Sequence, residues 1–135
     1  MEDIKVFEGK NLADIFKEIH TNTVSKRNQI ETIISGMQTF ITTANDAVIL
    51  IPMIKELLDV SVKNEEQLIK MAQVVQRLAI SNGSTSDTLL TSEERDQLIA
   101  QARDASILDI ETSRELKTLA NKTNNRVLLL EGSDA

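Results

Sequence analysis

A chain of 135 residues with 41% hydrophobic and 27% charged side chains is long enough for one core, too short for two domains, and too apolar to be an unfolded chain. The formal net charge of −6 argues against a monomer that grips a phosphate backbone over a broad basic face, and the lack of cysteine excludes a disulfide framework, a thiolate nucleophile and a zinc site of the Cys type. With 2% aromatic residues, three Phe and no Trp or Tyr, the composition points away from sheets and aromatic-lined ligand pockets and towards an all-α fold packed by Leu, Ile, Met and Ala.

Residues 1–10 form an extended N-terminal segment. Its start, Met-Glu-Asp-Ile-Lys, is acidic and leads into no apolar run, so it reads as neither a signal peptide nor a transit peptide. No stretch of the chain approaches the ~18 apolar residues of a membrane span. These features predict an intracellular, cytoplasmic protein without a membrane partner. Within the segment, Asp3–Gly9 is a short apolar run ended by glycine and could be a strand.

A helix is predicted from about Asn11 to Ala44. Phe16, Thr23, Ile30, Met37 and Ala44 form one seven-residue series, and Leu12, Ile19, Lys26, Ile33 and Phe40 form its companion, with Lys26 the single charge. At 1.5 Å per residue this helix is roughly 50 Å long. Asn45-Asp46 suits a short turn and a new N-cap.

The second predicted helix has the series Ala47, Ile54, Ser61, Leu68 and Val75 with Ile51, Leu58, Glu65, Ala72 and Ala79, while Leu50, Leu57, Met71 and Leu78 widen the stripe, as for a helix packed on more than one neighbour. Pro52 lies in its first turns, where it starts the helix at N1 or kinks it. Ser81-Asn82-Gly83 suits a left-handed C-cap.

Two long helices joined by a short turn predict an antiparallel hairpin over residues 11–80 that serves as both core and oligomerisation element. A turn centred near Asp46 sets Lys26 and Arg27 opposite Glu65 and Glu66. That layer is either a register device, because a slipped register strands a charge, or a set of charges that reach solvent along a drifting face.

Residues 81–90, opening Ser-Asn-Gly-Ser-Thr-Ser-Asp, read as a linker. Thr91-Ser92-Glu93-Glu94 fits a capping box with Thr91 as N-cap and Glu94 at N3, and Leu98, Ala102, Ala105, Leu108, Thr112, Leu116 and Leu119 recur at threes and fours. The third helix therefore spans about residues 91–122, packed on the hairpin or held out for a partner. Residues 123–135 form a C-terminal tail. Its Arg126–Gly132 run is a second candidate strand, and Val127, Leu128, Leu129 and Leu130 are candidate partner-docking residues, the alternative being a frayed end.

Signs of chemistry are sparse. His20 has no cysteine to activate and no second histidine for a metal, and the four glycines make no phosphate-binding pattern. Glu93, Glu94 and Asp96 complement a helix N-terminus, and Asp104, Asp109 and Glu111 are expected on the outer side of the third helix. The sequons at Asn82 and Asn121 carry no weight without a secretory signal. No catalytic residue, cofactor, metal or small-molecule substrate is expected, so the chain reads as a non-enzyme.

A short Ile-Lys-Val-Phe-Glu segment, then Lys26-Arg27-Asn28 in a long helix, then a second helix carrying Asn64, Leu68 and Lys70, resembles the small terminase subunits of large tailed bacteriophages over roughly residues 3–78. The resemblance implies a helical hairpin that assembles into a ring, with no nuclease or ATPase activity of its own. Such a protein helps select viral DNA and regulates the large terminase that packages it. Lys17, Lys26 and Arg27 would be its DNA contacts, repeated by every subunit. A recognisable N-terminal helix-turn-helix is missing from this sequence. The alternative is a small monomeric or dimeric adaptor that binds one host or viral protein through its third helix or apolar tail.

Overall fold

A computed structural model describes residues 4–82 and 90–133, with the side chains of residues 81, 82 and 131–133 left aside. It is an all-α protein with a small β-ribbon: β1 (Lys5–Phe7), β2 (Lys10–Asn11), α1 (Leu12–Phe40), α2 (Ala44–Asn82) and α3 (Ser92–Ser133). The linker expected at 81–90 falls largely on residues 83–89, outside the described residues. Among the described residues, no helix is long and apolar enough to cross a membrane.

The N-terminal apolar run, a candidate strand by composition, supplies β1 over Lys5–Phe7, and its partner is the segment just after it. β1 and β2 pair antiparallel around a turn in which Gly9 takes φ 81°, a left-handed conformation that glycine adopts without steric cost. The ribbon feeds directly into α1. Asn11 Oδ1 accepts the Asp14 amide at 2.9 Å and Asp14 Oδ2 accepts the Asn11 amide at 3.1 Å, a reciprocal cap for two otherwise orphan donors.

Helix α1 ends at Phe40, four residues before the predicted end, because Thr43 and Asp46 are a second capping box and not a turn. Thr43 Oγ1 accepts the Asp46 amide at 3.1 Å, and Asp46 Oδ2 accepts the Thr42 and Thr43 amides, each at 3.2 Å, and the Thr42 hydroxyl at 3.0 Å. The connection is therefore Ile41–Thr43, and the facing positions of α1 and α2 shift from those expected for a turn at Asp46.

These donors, first the Thr42 amide and then its hydroxyl, hold the Asp46 carboxyl below its ordinary range. A depressed folded-state value stabilises the fold above the unfolded pKa of about 3.9, and that contribution is lost as pH falls through the folded value. Asp46→Asn should consequently lose less of its stability between pH 7 and pH 3 than the parent chain does. Thermal unfolding of both at the two pH values measures this, and equal losses would remove the Asp46 carboxylate from the cap.

Because α2 begins at Ala44, Pro52 lies in its third turn and neither starts the helix nor sits in the first turn. Proline lacks the N–H that would reach the Val48 carbonyl. Both residues are exposed, Val48 at 73%, so water can take the missing donor's place.

The largest departure at the C-terminus is α3, which runs to Ser133. The predicted strand at Arg126–Gly132 is helical. Leucine is a strong helix former, and Val127 and Leu130, three apart, pack inward together while Leu128 and Leu129 face out. Thr91 caps the other end of α3 as read: its Oγ1 accepts the Glu94 amide at 3.1 Å, and its hydroxyl donates to Glu94 Oε1 at 3.2 Å, a side-chain contact in the place of the backbone bond of a full capping box.

The chain divides into two compact units. The first comprises Met1–Thr23 and Glu65–Ile110, the second Val24–Asn64 and Glu111–Ala135. In the first unit the β-ribbon and the three helix segments share a core of Ile4, Val6, Leu12, Ile15, Ile19, Met71, Val74, Leu78, Ala102 and Ala105. Arg103 Nε donates to the Val6 carbonyl at 2.7 Å and ties the ribbon to α3. In the second unit Ile30, Met37, Leu50, Met53, Leu57, Val60 and Leu116 form the core, with Phe40, Val127 and Leu130 against it. The third helix packs on the hairpin in both units, which resolves the alternative left open by its thin stripe.

Which face of α2 meets the core differs from expectation. Leu50, Met53, Leu57, Val60, Asn64, Gln67, Met71, Val74 and Leu78 are buried at alternating steps of three and four. The residues read as one of its two main series, Ile51, Leu58, Ala72 and Ala79, are exposed, and the Ala47, Ile54, Ser61, Leu68 and Val75 series is half-buried on the flank. The residues read as widening the stripe are its centre.

Candidate interaction surfaces

Each unit buries its own polar residues. In the second, Lys26 is 4% exposed and its Nζ donates to Thr112 Oγ1 at 2.6 Å, with Asn64, Thr112 and Thr123 also buried. In the first, Asp109 is buried and accepts a hydrogen bond from Asn22 Nδ2 at 2.8 Å, while Gln67 Nε2 donates to the Leu108 carbonyl at 3.2 Å. Asp109 therefore does not lie on the outer side of α3 as expected, whereas Asp104 and Glu111 do.

Of the candidate register layer, Lys26 is interior and takes a partner from α3, Arg27 and Glu65 are half-buried, and Glu66 is exposed. Of the candidate DNA contacts, Lys17 is exposed, Arg27 is half-buried and Lys26 is turned away from any phosphate. The basic band loses its central member because helix periodicity puts residue 26 on the same face as Leu12 and Ile19. His20 is exposed, its ring tilted beside Phe16 at a centroid distance of 6.5 Å.

Among the described residues, no group of three or more His, Asp or Glu is placed to hold a metal ion. One surface depression of about 400 Å³ is lined by Lys5, Val6, Phe7, Glu8 and Arg103, and another of about 470 Å³ by Asn28, Glu31, Thr32 and Ser35. The first is walled by the long side chains of Lys5, Phe7, Glu8 and Arg103 and the second by polar residues along α1, and neither gathers the convergent buried polar groups that orient a small ligand.

The feature with directional content is the outer face of α2. Val48, Ile51, Leu58, Val62 and Ile69 are each more than half exposed, at steps of three, seven, four and seven residues. Lys55, Glu65 and Ala72 fill the missing places, so a heptad stripe runs along α2 opposite to its core seam. Scattered surface leucines need no explanation, but five large aliphatic residues on one helix stripe do. Two smaller patches lie on α3: Ile107 with Ile110, and Leu128 with Leu129 at 60% and 67% exposure. Comparison with protein-family models, with curated proteins and with solved structures gave no match.

Sequence reasoning found the four docking candidates at 127–130, of which only Leu128 and Leu129 are presented outward. It missed Val48, Val62 and Ile69. The signal that could have found them is a second three-and-four series beside the Leu50–Leu78 one.

Proposed function

We propose that this chain is a non-enzymatic assembly protein that associates with copies of itself through the outer face of α2. The observation that carries the reading is the heptad spacing of Val48, Ile51, Leu58, Val62 and Ile69, since a stripe of that period is covered best by another helix. The resemblance over residues 3–78 gives the assembly a place: a small-terminase-like subunit that helps recruit viral DNA and regulates the packaging motor. With a net charge of −6 and Lys26 interior, contact with DNA would rest on Lys17 and Arg27 repeated by symmetry, and would weaken steeply with salt.

Light scattering across a concentration and salt series tests the assembly reading. A mass of several times 15.0 kDa is expected, and Leu58→Glu with Val62→Glu should bring it down to that value. A single species of 15.0 kDa at every concentration would overturn it. The outward pair Leu128 and Leu129 favours a second reading in that event, an adaptor that docks one protein partner through the end of α3.

A further inference from the structure

We infer that the part of the α2 outer face belonging to the second unit pairs antiparallel with the same segment of a second copy, so that Lys55 of each copy meets Asp59 of the other. This rests on the self-assembly reading and specifies its contact. Ile51, Leu58 and Val62 are each more than half exposed, and Ile54 beside them is half-buried. The neighbouring charges Glu56 and Lys63 are held within the chain, by Lys122 at 3.7 Å and by Glu115 at 3.3 Å. Lys55 and Asp59 are exposed and have no ion-pair partner among the described residues. A base four residues before an acid is the weaker order for pairing along one helix, which leaves both available to a partner. The face thus offers an apolar row with one unclaimed cation and one unclaimed anion, and a surface of that composition complements itself about a two-fold axis.

The charges also select the register. With an axis midway between Glu56 and Leu57, Ile51 of one copy is level with Val62 of the other, and Lys55 with Leu58. Antiparallel pairing brings like rims together, so Lys55 lies on the same side of the seam as Asp59 of the second copy and within about 1.5 Å of its level. The lysine stem covers Leu58 while its ammonium reaches the carboxylate at the rim. Moving the axis by half a heptad spoils this. At residue 53, Lys55 is level with Ile51 and the opposing Asp59 is displaced by about 12 Å along the helix, whereas at residue 60 the two Asp59 side chains come within about 3 Å of one level. Parallel pairing in register sets Lys55 on Lys55. Like charges opposed across a contact are disfavoured, so one direction and one register remain.

A contact of this kind is isologous and closes a pair, so an assembly containing it has an even number of subunits. The test uses the full-length chain, in which every introduced thiol is unique because there is no native cysteine. Ile51→Cys protein mixed with Val62→Cys protein should form a disulfide-linked pair on oxidation, while neither variant alone should do so.

Lys55→Glu and Asp59→Lys should each weaken association about tenfold or more, with thermal unfolding of the dilute chain unchanged because both side chains are exposed. An equimolar mixture of the two should restore association, because both ion pairs of the mixed dimer are then opposite in sign. Oligomers in which each cysteine variant links to itself and not to the other would overturn the antiparallel pairing and leave self-assembly standing. So would a mixture of the charge variants that associates no better than either alone. A parent chain that is monomeric at all concentrations would remove both.

Discussion

Leu57→Ala is expected to lower the free energy of unfolding by about 2–5 kcal/mol, and Leu58→Ala, one residue along, by less than about 0.5 kcal/mol in the monomer. Leu57 is wholly buried in the core of the second unit, so its truncation loses both transfer energy and packing and leaves a cavity among Leu50, Met53 and Ile30. Leu58 is 51% exposed, and its truncation removes surface already in contact with water and opens no cavity. Denaturant unfolding at low protein concentration measures the difference. With total stabilities of about 5–15 kcal/mol, the first change removes a large share and the second almost none. Equal losses would mean that the core seam of α2 has been assigned to the wrong face.

The second large effect concerns Lys26. Thr112→Val should lower stability by about 1.5–3 kcal/mol, the range for a hydrogen bond to a charged group, because the buried ammonium loses an acceptor at 2.6 Å while the new methyl fills the hydroxyl's space. In a Lys26→Met background the same change should cost under about 1 kcal/mol, since there is no charge left to satisfy. The difference between the two backgrounds is the coupling energy, read from a double-mutant cycle of unfolding curves. An identical cost in both backgrounds would show that the Lys26–Thr112 bond contributes nothing to stability. A buried lysine of this kind adds little net stability over an apolar residue of similar volume, whereas removing its partner alone is costly.

These two cases also explain how far the fold could be read in the residues. Helix α1 has a single apolar phase, so its series Leu12, Ile19, Lys26, Ile33, Phe40 and Thr23, Ile30, Met37 coincide with the face that is buried or half-buried. Helix α2 carries two stripes of heptad period. Hydrophobicity alone does not say which of two apolar faces turns inward, because that choice is made by α1 and α3 together.

Asn45-Asp46 reads as a turn with a new N-cap, but the cap is Thr43, because Asn-Asp is as common in loops as in first helical turns and only the hydrogen bonds separate the two. Val127–Leu130 is too short a run to show a period, so strand and helix were equally compatible with it. The Thr91 box was legible because three acidic residues and a periodic stripe follow it. The candidate surface was half visible: Ile51 and Leu58 were noticed as apolar, but their exposure follows only once Leu50 and Leu57 are seen to fill the core.

Pro52 has a dynamic consequence for that surface. The amide ladder of α2 lacks the rung between residues 52 and 48, so opening of the turns before it need not propagate into the rest of the helix. Hydrogen exchange should accordingly find residues 44–51 poorly protected relative to the 53–78 stretch. With that outcome the stripe would begin on a segment that opens independently and continue on one that does not, and a partner helix would meet a fixed template with a pliant leading edge.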